Sequence, residues 1–216
     1  GKELHSSPSI GIAVYPVDGE DGTTLMKNAD TAMYHAKEHG RNNVQYFTAA
    51  MNAAASERLG LENDLHQALR TGQLHVHYQP QVCARDGRIF GVEALARWCH
   101  PVLGDIPSLK FIPIAEECGL IEELGSWVLE EACRQLSAWH AEGVDGIRMA
   151  VNLSAQQLRS PDLMQSVVAL LKRHGLQGSD LELEITESAA MEHPERAIGQ
   201  LQALRDIGIQ LAIDDF

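Results

Sequence analysis

The sequence predicts an α/β protein, an incomplete TIM-like (β/α) barrel preceded by a partial α+β domain and a connecting helix. Three observations carry this. From residue 72 onward, short apolar runs alternate with amphipathic stretches, the pattern of βα units around a parallel sheet. Residues 72–216 are far fewer than the roughly 200 to 250 that a complete eight-stranded barrel needs, so the barrel is expected to be truncated after its fifth strand. Residues 1–48 hold only a strand, a helix and a strand, too small a core to stand alone, and read as the tail of a preceding domain. The chain is thus expected to be cut at both ends.

Ser9–Tyr15 is an apolar run that ends at Pro16 and is followed by turn residues, Asp18 to Gly22, so it reads as a strand and a loop. Leu25, Ala29, Ala32, Met33 and Ala36 recur at helical spacing and Gly40 stands where a helix would end. Asn42–Phe47 is a second strand. Residues 49–71 lack Pro and place Leu61, Leu65 and Leu69 on one face, which predicts the connecting helix. Next come strands over 74–82 and 89–97 with a turn at Gly87, helices over 109–118 and 120–142, and a strand over 147–152. Ser154 and Gln157 have capping-box spacing, and Ser160-Pro161 predicts a helix with Pro at its first position, closed by Gly175. A strand over 181–185, a helix over 194–207 and a strand over 209–214 complete the order.

Composition excludes several classes of function. The 216 residues carry 17 Lys and Arg against 30 Asp and Glu, a formal charge of −13. Such acidity repels a phosphate backbone and argues against binding DNA or RNA polymers or an anionic membrane surface. No stretch approaches the roughly 20 apolar residues of a membrane span, and no signal peptide opens the chain. Cys83, Cys99, Cys118 and Cys133 are scattered, with neither disulfide-framework nor zinc spacing, which suits reduced thiols in the cytoplasm.

Four strands finish in similar residues: Glu93, Asn152, Glu184 and the pair Asp214-Asp215. In parallel α/β folds the C-terminal strand ends share one rim, and that rim holds the active site. Carboxylates gathered there repel by roughly 4 kcal/mol per pair at about 4 Å and an effective dielectric near 20. Protons or cations must relieve this. A donor set made only of oxygen, one an amide, suits Mg²⁺ or Mn²⁺ better than Zn²⁺. Two such ions fit in-line attack of water on a phosphodiester, and they let an acidic protein hold an anionic substrate. Any one of these acids taken alone is equally a solvated strand end or a helix cap; the repetition over four strands carries the reading. Glu182 is expected one layer below Glu184 or in solvent.

From residue 73 to 216 the chain resembles the EAL family of cyclic di-GMP phosphodiesterases. The matching stretches are Tyr78-Gln-Pro-Gln-Val82, Glu93-Ala-Leu-Ala-Arg-Trp98, Phe111-Ile-Pro-Ile-Ala-Glu116, Val151-Asn-Leu-Ser154, Leu183-Glu-Ile-Thr-Glu-Ser188 and Ala212-Ile-Asp-Asp-Phe216. Each is short, and six in order are specific. The front resembles the end of a GGDEF (diguanylate cyclase) domain, through Ser9-Ile-Gly-Ile-Ala13, Asn28-Ala-Asp30, Ala32-Met-Tyr34 and Ala36-Lys37 with Gly40-Arg-Asn42. The implied division is 1–48 for the GGDEF fragment, 49–71 for the helix and 72–216 for the EAL part.

The resemblance implies that Glu93, Asn152, Glu184, Asp214 and Asp215 hold the metals, Mg²⁺ or Mn²⁺, with two ions in the complete domain. It implies that Glu187 supports the catalytic centre by steadying a loop near the metals, that Arg97 contacts a substrate phosphate, and that Gln79 contacts the substrate. Lys37 and Arg41 resemble cyclase residues that contact nucleotide phosphates. Arg97 is otherwise a rim salt-bridge partner, and Lys37 and Arg41 are otherwise helix-end cations favoured by the dipole. The family's catalytic lysine and later acids are expected beyond Phe216. The parent protein is therefore expected to hydrolyse cyclic di-GMP to linear pGpG, with the 216-residue piece inactive alone. The alternatives are a cyclic di-GMP receptor without turnover and a regulatory module that forms a homodimer in the parent. His75 and His77 share a strand face but lack a third metal ligand nearby in sequence. Trp98, Trp127 and Trp139 read as packing residues.

Overall fold

The computed structural model describes residues 7–38, 40–186, 189, 191 and 194–214. The chain divides into two compact units, residues 1–63 and 64–216. The boundary falls inside one long helix, α2 (Ala49–Thr71).

In the first unit, β1 (Ile10–Ile12) and β2 (Val44–Tyr46) pair in parallel, with α1 (Gly22–Glu38) as the crossover. The expected first strand is shortened to three residues. Gly11 explains how close the strand comes to its helix: a Cβ there would lie 2.0 Å from the Ala29 carbonyl oxygen. Ala32 and Ala36 are fully buried on the facing side of α1. Buried Asn28 donates to the Asp18 carbonyl (2.7 Å), and its own oxygen accepts from Asn52 (3.2 Å).

The second unit is built on a sheet in the order β3-β4-β6-β7-β8, with β5 on the side of β4. The strands are β3 (Leu74–Val82), β4 (Ile89–His100), β5 (Gly104–Ile106), β6 (Arg148–Asn152), β7 (Leu181–Thr186) and β8 (Gln210–Asp214). The helices are α3 (Ser108–Glu117), α4 (Ile121–Ala141), α5 (Ala155–Arg159), α6 (Leu163–His174) and α7 (Pro194–Asp206). Strands β4, β6, β7 and β8 are mutually parallel, as the βα pattern predicts, while short β5 pairs antiparallel with β4.

Three details differ from expectation. β3 runs antiparallel to β4, because the short turn at Gly87 (φ 72°) leaves no room for a crossover helix. β4 continues to His100, so Glu93 lies inside the strand; yet only Gly91–Ala94 pair with β6, and Glu93 stands near the end of that parallel stretch. Ser160-Pro161 opens a turn rather than a helix. Ser160 caps the end of α5, the Leu163 N–H reaches back to the Ser160 carbonyl, and α6 starts at Leu163.

One face of the sheet packs under helices. Ile121, Leu124, Gly125, Val128, Leu129, Ala132, Cys133 and Leu136 form the buried stripe of α4, at three- and four-residue spacing. Met149, Val151, Leu181 and Leu183 face the helical layer from β6 and β7 and are almost fully buried. Trp98 packs edge-on against Phe111 with centroids 5.8 Å apart, and both are buried, whereas Trp127 and Trp139 are half-buried. The four cysteines are free. Among the described residues no helix is long and apolar enough to cross a membrane.

Candidate active site

Strand register decides which side chains can meet. Gln79 lies opposite Glu93, and Glu93 opposite Ala150, two residues before Asn152. Asn152 lies opposite Glu184, and Glu184 opposite Ala212, two residues before Asp214. Side chains alternate between faces with a period of two, so Gln79, Glu93, Asn152, Glu184 and Asp214 all stand on one face, the one away from the helical stripe. From Glu93 to Asp214 the row advances four residues along the ladder. That is about the one-residue-per-strand shear that keeps such a row level in a tilted barrel.

The row is coupled. Asn152 Nδ2 donates to Glu93 Oε1 at 2.8 Å. Gln81 Nε2 approaches Glu184 Oε1 at 3.4 Å, and Gly91 makes room for it, since a Cβ there would lie 2.6 Å from Gln81 Oε1. Glu184 is only 8% exposed. Its carboxyl is pushed up to about 7, first by removal from water, then by the negative charges of Glu93, Asp214 and Glu182, with Gln81 pulling the other way. Glu182 sits one layer below on the same face. It pairs with Arg148 Nε at 2.9 Å, and the same guanidinium reaches Gln210 on β8.

A cavity of about 400 Å³ opens beside the row. Asn152, Glu184 and Arg97 line it together with Leu109, Ile112 and Leu124. Arg97 donates to the Ala96 carbonyl through Nη1 (2.9 Å), one of the five N–H donors a guanidinium carries.

Other expected residues are placed as follows. Lys37, in the last turn of α1, and Arg41 are exposed and belong to the first unit. Glu187 and Asp215 lie outside the described residues. His75 and His77 are exposed on the same face as Gln79. Among the described residues, no group of three or more His, Cys, Asp or Glu side chains is placed to hold a metal ion. The row itself offers three carboxylates and an amide, all oxygen donors, a chemistry that fits a hard divalent cation. Sequence reasoning missed Gln81 and the Arg148–Glu182 layer, although the alternation along β3 already sets Gln81 beside Gln79.

The parallel strands with their acidic row are of the α/β class, and the chain belongs to the EAL family, whose domain model matches residues 62–216. Residues 1–43 match the diguanylate cyclase GGDEF domain, so the order is GGDEF then EAL. The chain is 50% identical over 214 residues to the bifunctional diguanylate cyclase/cyclic di-GMP phosphodiesterase MucR of Pseudomonas aeruginosa, covering 99% of this chain and 31% of that protein. It is 41% identical over 214 residues to the cyclic di-GMP phosphodiesterase PdeR of Escherichia coli, covering 99% of this chain and 32% of that one. It thus spans about a third of the length of these curated relatives. Among solved structures, the MucR phosphodiesterase in complex with c-di-GMP matches with a TM-score of 0.70 at 47% identity, covering 73% of this chain and 64% of that one. The EAL domain of FimX from Pseudomonas aeruginosa bound to c-di-GMP gives 0.64 at 27% identity, covering 74% of this chain and 62% of that one.

Proposed function

We propose that the protein carrying this chain hydrolyses cyclic di-GMP to linear pGpG, and that the row Glu93, Asn152, Glu184 and Asp214 holds Mg²⁺ or Mn²⁺, two ions with Asp215 included. The observation that carries this is the single face shared by the four donors across four strands. When bound, the ions activate water and neutralise the leaving oxygen.

The chain's own residues supply the rest. Glu93, Glu184 and Asp214 provide negative charge that divalent cations must balance before a phosphodiester can approach. The Asn152 amide holds the Glu93 carboxylate at 2.8 Å, which fixes one of its two oxygens. Arg97, at the cavity, pairs with a phosphate as a planar fork, and Gln79, exposed opposite Glu93, hydrogen-bonds the substrate. Ile112 and Leu124 give the cavity an apolar lining, while Leu109 stands exposed at its edge. Glu187, by its place in the family motif, supports the catalytic centre by steadying a loop near the metals. Lys37 and Arg41 are helix-end cations in the GGDEF part, a part that with α2 serves regulation or a homodimer, read out by light scattering of the full-length protein. Four free cysteines suit a cytoplasmic location.

The test is turnover of cyclic di-GMP by the full-length protein with Mg²⁺ or Mn²⁺, followed as pGpG released. Glu93→Ala and Asp214→Ala are expected to lower kcat by at least about 100-fold, the scale of losing a group that stabilises transition-state charge. Binding without turnover, and without need of a divalent ion, would replace this reading by that of a receptor.

A further inference from the structure

Gly125 stands in the second turn of α4, inside the helix, where glycine costs about 1 kcal/mol relative to alanine. The reason for it is steric. A Cβ at this position would lie 2.2 Å from Nε2 of Gln157 and 2.4 Å from both its Cδ and its Oε1. The Gln157 side chain, 5% exposed, therefore occupies the space that the missing Cβ leaves on α4. Its Oε1 accepts from the Ser154 N–H (3.1 Å) and from Ser154 Oγ (3.0 Å), while Ser154 Oγ accepts from the Gln157 N–H (3.2 Å). One residue earlier, the Leu153 N–H donates to the Glu184 carbonyl at 2.8 Å. The backbone directly after Asn152 is thus held twice, to β7 through Leu153 and to the Gln157 carboxamide through Ser154. Gly125, Gln157 and Ser154 line the same cavity as Asn152 and Glu184.

Asn152 needs such support. It is the last residue of β6 and its side chain is exposed. A donor to a cation must be held within about 0.5 Å of its place, and a strand-end side chain inherits every shift of the backbone that follows it.

We propose that the Gln157 carboxamide, seated on Gly125, is a positioning element that fixes the chain at Ser154 and with it the direction in which Asn152 presents its Oδ1 to a divalent cation. This rests on the reading of Glu93, Asn152, Glu184 and Asp214 as the cation site. Neither Gln157 nor Gly125 touches the cation in this arrangement; both act through Asn152.

The test measures Mn²⁺ binding to the full-length protein without substrate, by the electron paramagnetic resonance signal of free Mn²⁺, alongside the melting temperature. Gln157→Leu and Gly125→Ala are expected to weaken Mn²⁺ binding by about 10- to 100-fold, as loss of a supporting group does at other metal sites. Gln157→Glu keeps an acceptor for the Ser154 N–H and is expected to stay within about threefold of the parent, since Ser with Glu also makes a capping box. Should Gly125→Ala fail to fold, Ser154→Ala removes the hydroxyl arm of the clamp and is expected to weaken Mn²⁺ in the same direction. Lower melting temperatures with unchanged Mn²⁺ affinity in Gln157→Leu would overturn the proposal and leave the cation site standing. A parent protein that binds no Mn²⁺ would overturn the cation site and the proposal together.

Discussion

Glu184 concentrates the electrostatics of the row in one side chain. Its carboxyl is raised to about 7 from an ordinary value of 4.5, so the folded chain holds this proton more tightly than the unfolded chain. Without metal, the group's contribution to stability is therefore present in full below about pH 4.5 and is lost as pH rises toward about 7. In EDTA, urea unfolding between pH 4.5 and 8 is expected to show this decline, and Glu184→Gln to remove it, gaining on the order of 2 kcal/mol at pH 8. Mn²⁺, bound to the ionised carboxylate, is expected to shrink or reverse the decline. Cys133, buried with its thiol pushed up to about 12, should react with a thiol reagent only on unfolding, whereas exposed Cys99 reacts first. At this scale the sequence made the donors legible because strand ends are local patterns. The Ser154–Gln157 capping box was legible too, but the places of Gln81 and of the Gln157 carboxamide were not, since they depend on Gly91 and Gly125, glycines on neighbouring elements whose missing Cβ atoms make the room.

Among the elements, β4 does two jobs. Its first half joins the parallel ladder, and its second half pairs only with β3 and β5 while burying Trp98 against Phe111. Phe111→Ala is expected to cost about 3 to 5 kcal/mol, checked by denaturant unfolding, because a buried ring leaves a cavity that helix α3 cannot close. The turn before β7 is equally constrained: a Cβ on Gly178 would lie 2.0 Å from the Ile207 carbonyl oxygen, where α7 leads into β8. Gly178→Ala is expected to destabilise by about 1 to 3 kcal/mol in a thermal melt. Apolar periodicity foretold nearly every helix and strand here. It missed the direction of β3, since alternation reads the same in parallel and antiparallel pairs. It set the start of α6 two residues early, since Pro161 serves a tight turn as readily as a first helical position.

For the molecule as a whole, the two compact units and the single candidate cation face make a calorimetric prediction. If the proposed site binds Mn²⁺ in the native protein only, the ion raises the unfolding temperature of whatever carries the site. Heating the full-length protein with and without Mn²⁺ is expected to shift the transition of residues 64–216 and leave that of residues 1–63 in place. Glu93→Ala is expected to abolish the shift. The resemblance read from six short motifs over residues 73–216 anticipated the EAL family, and separate short stretches between Ser9 and Asn42 anticipated the GGDEF match. Spacing alone did not reveal the charge arrangement beneath the donors, because Arg148, Glu182 and Gln210 come from three separate strands.

That lower layer sets a limit on depth. Glu182, two residues before Glu184 on β7, pairs with Arg148, four residues before Asn152 on β6, so the uncompensated negative charge of this face lies toward the strand ends. Replacing Arg148 with leucine is expected to leave the Glu182 carboxylate without its ion-pair partner beneath the row, and so to lower the melting temperature.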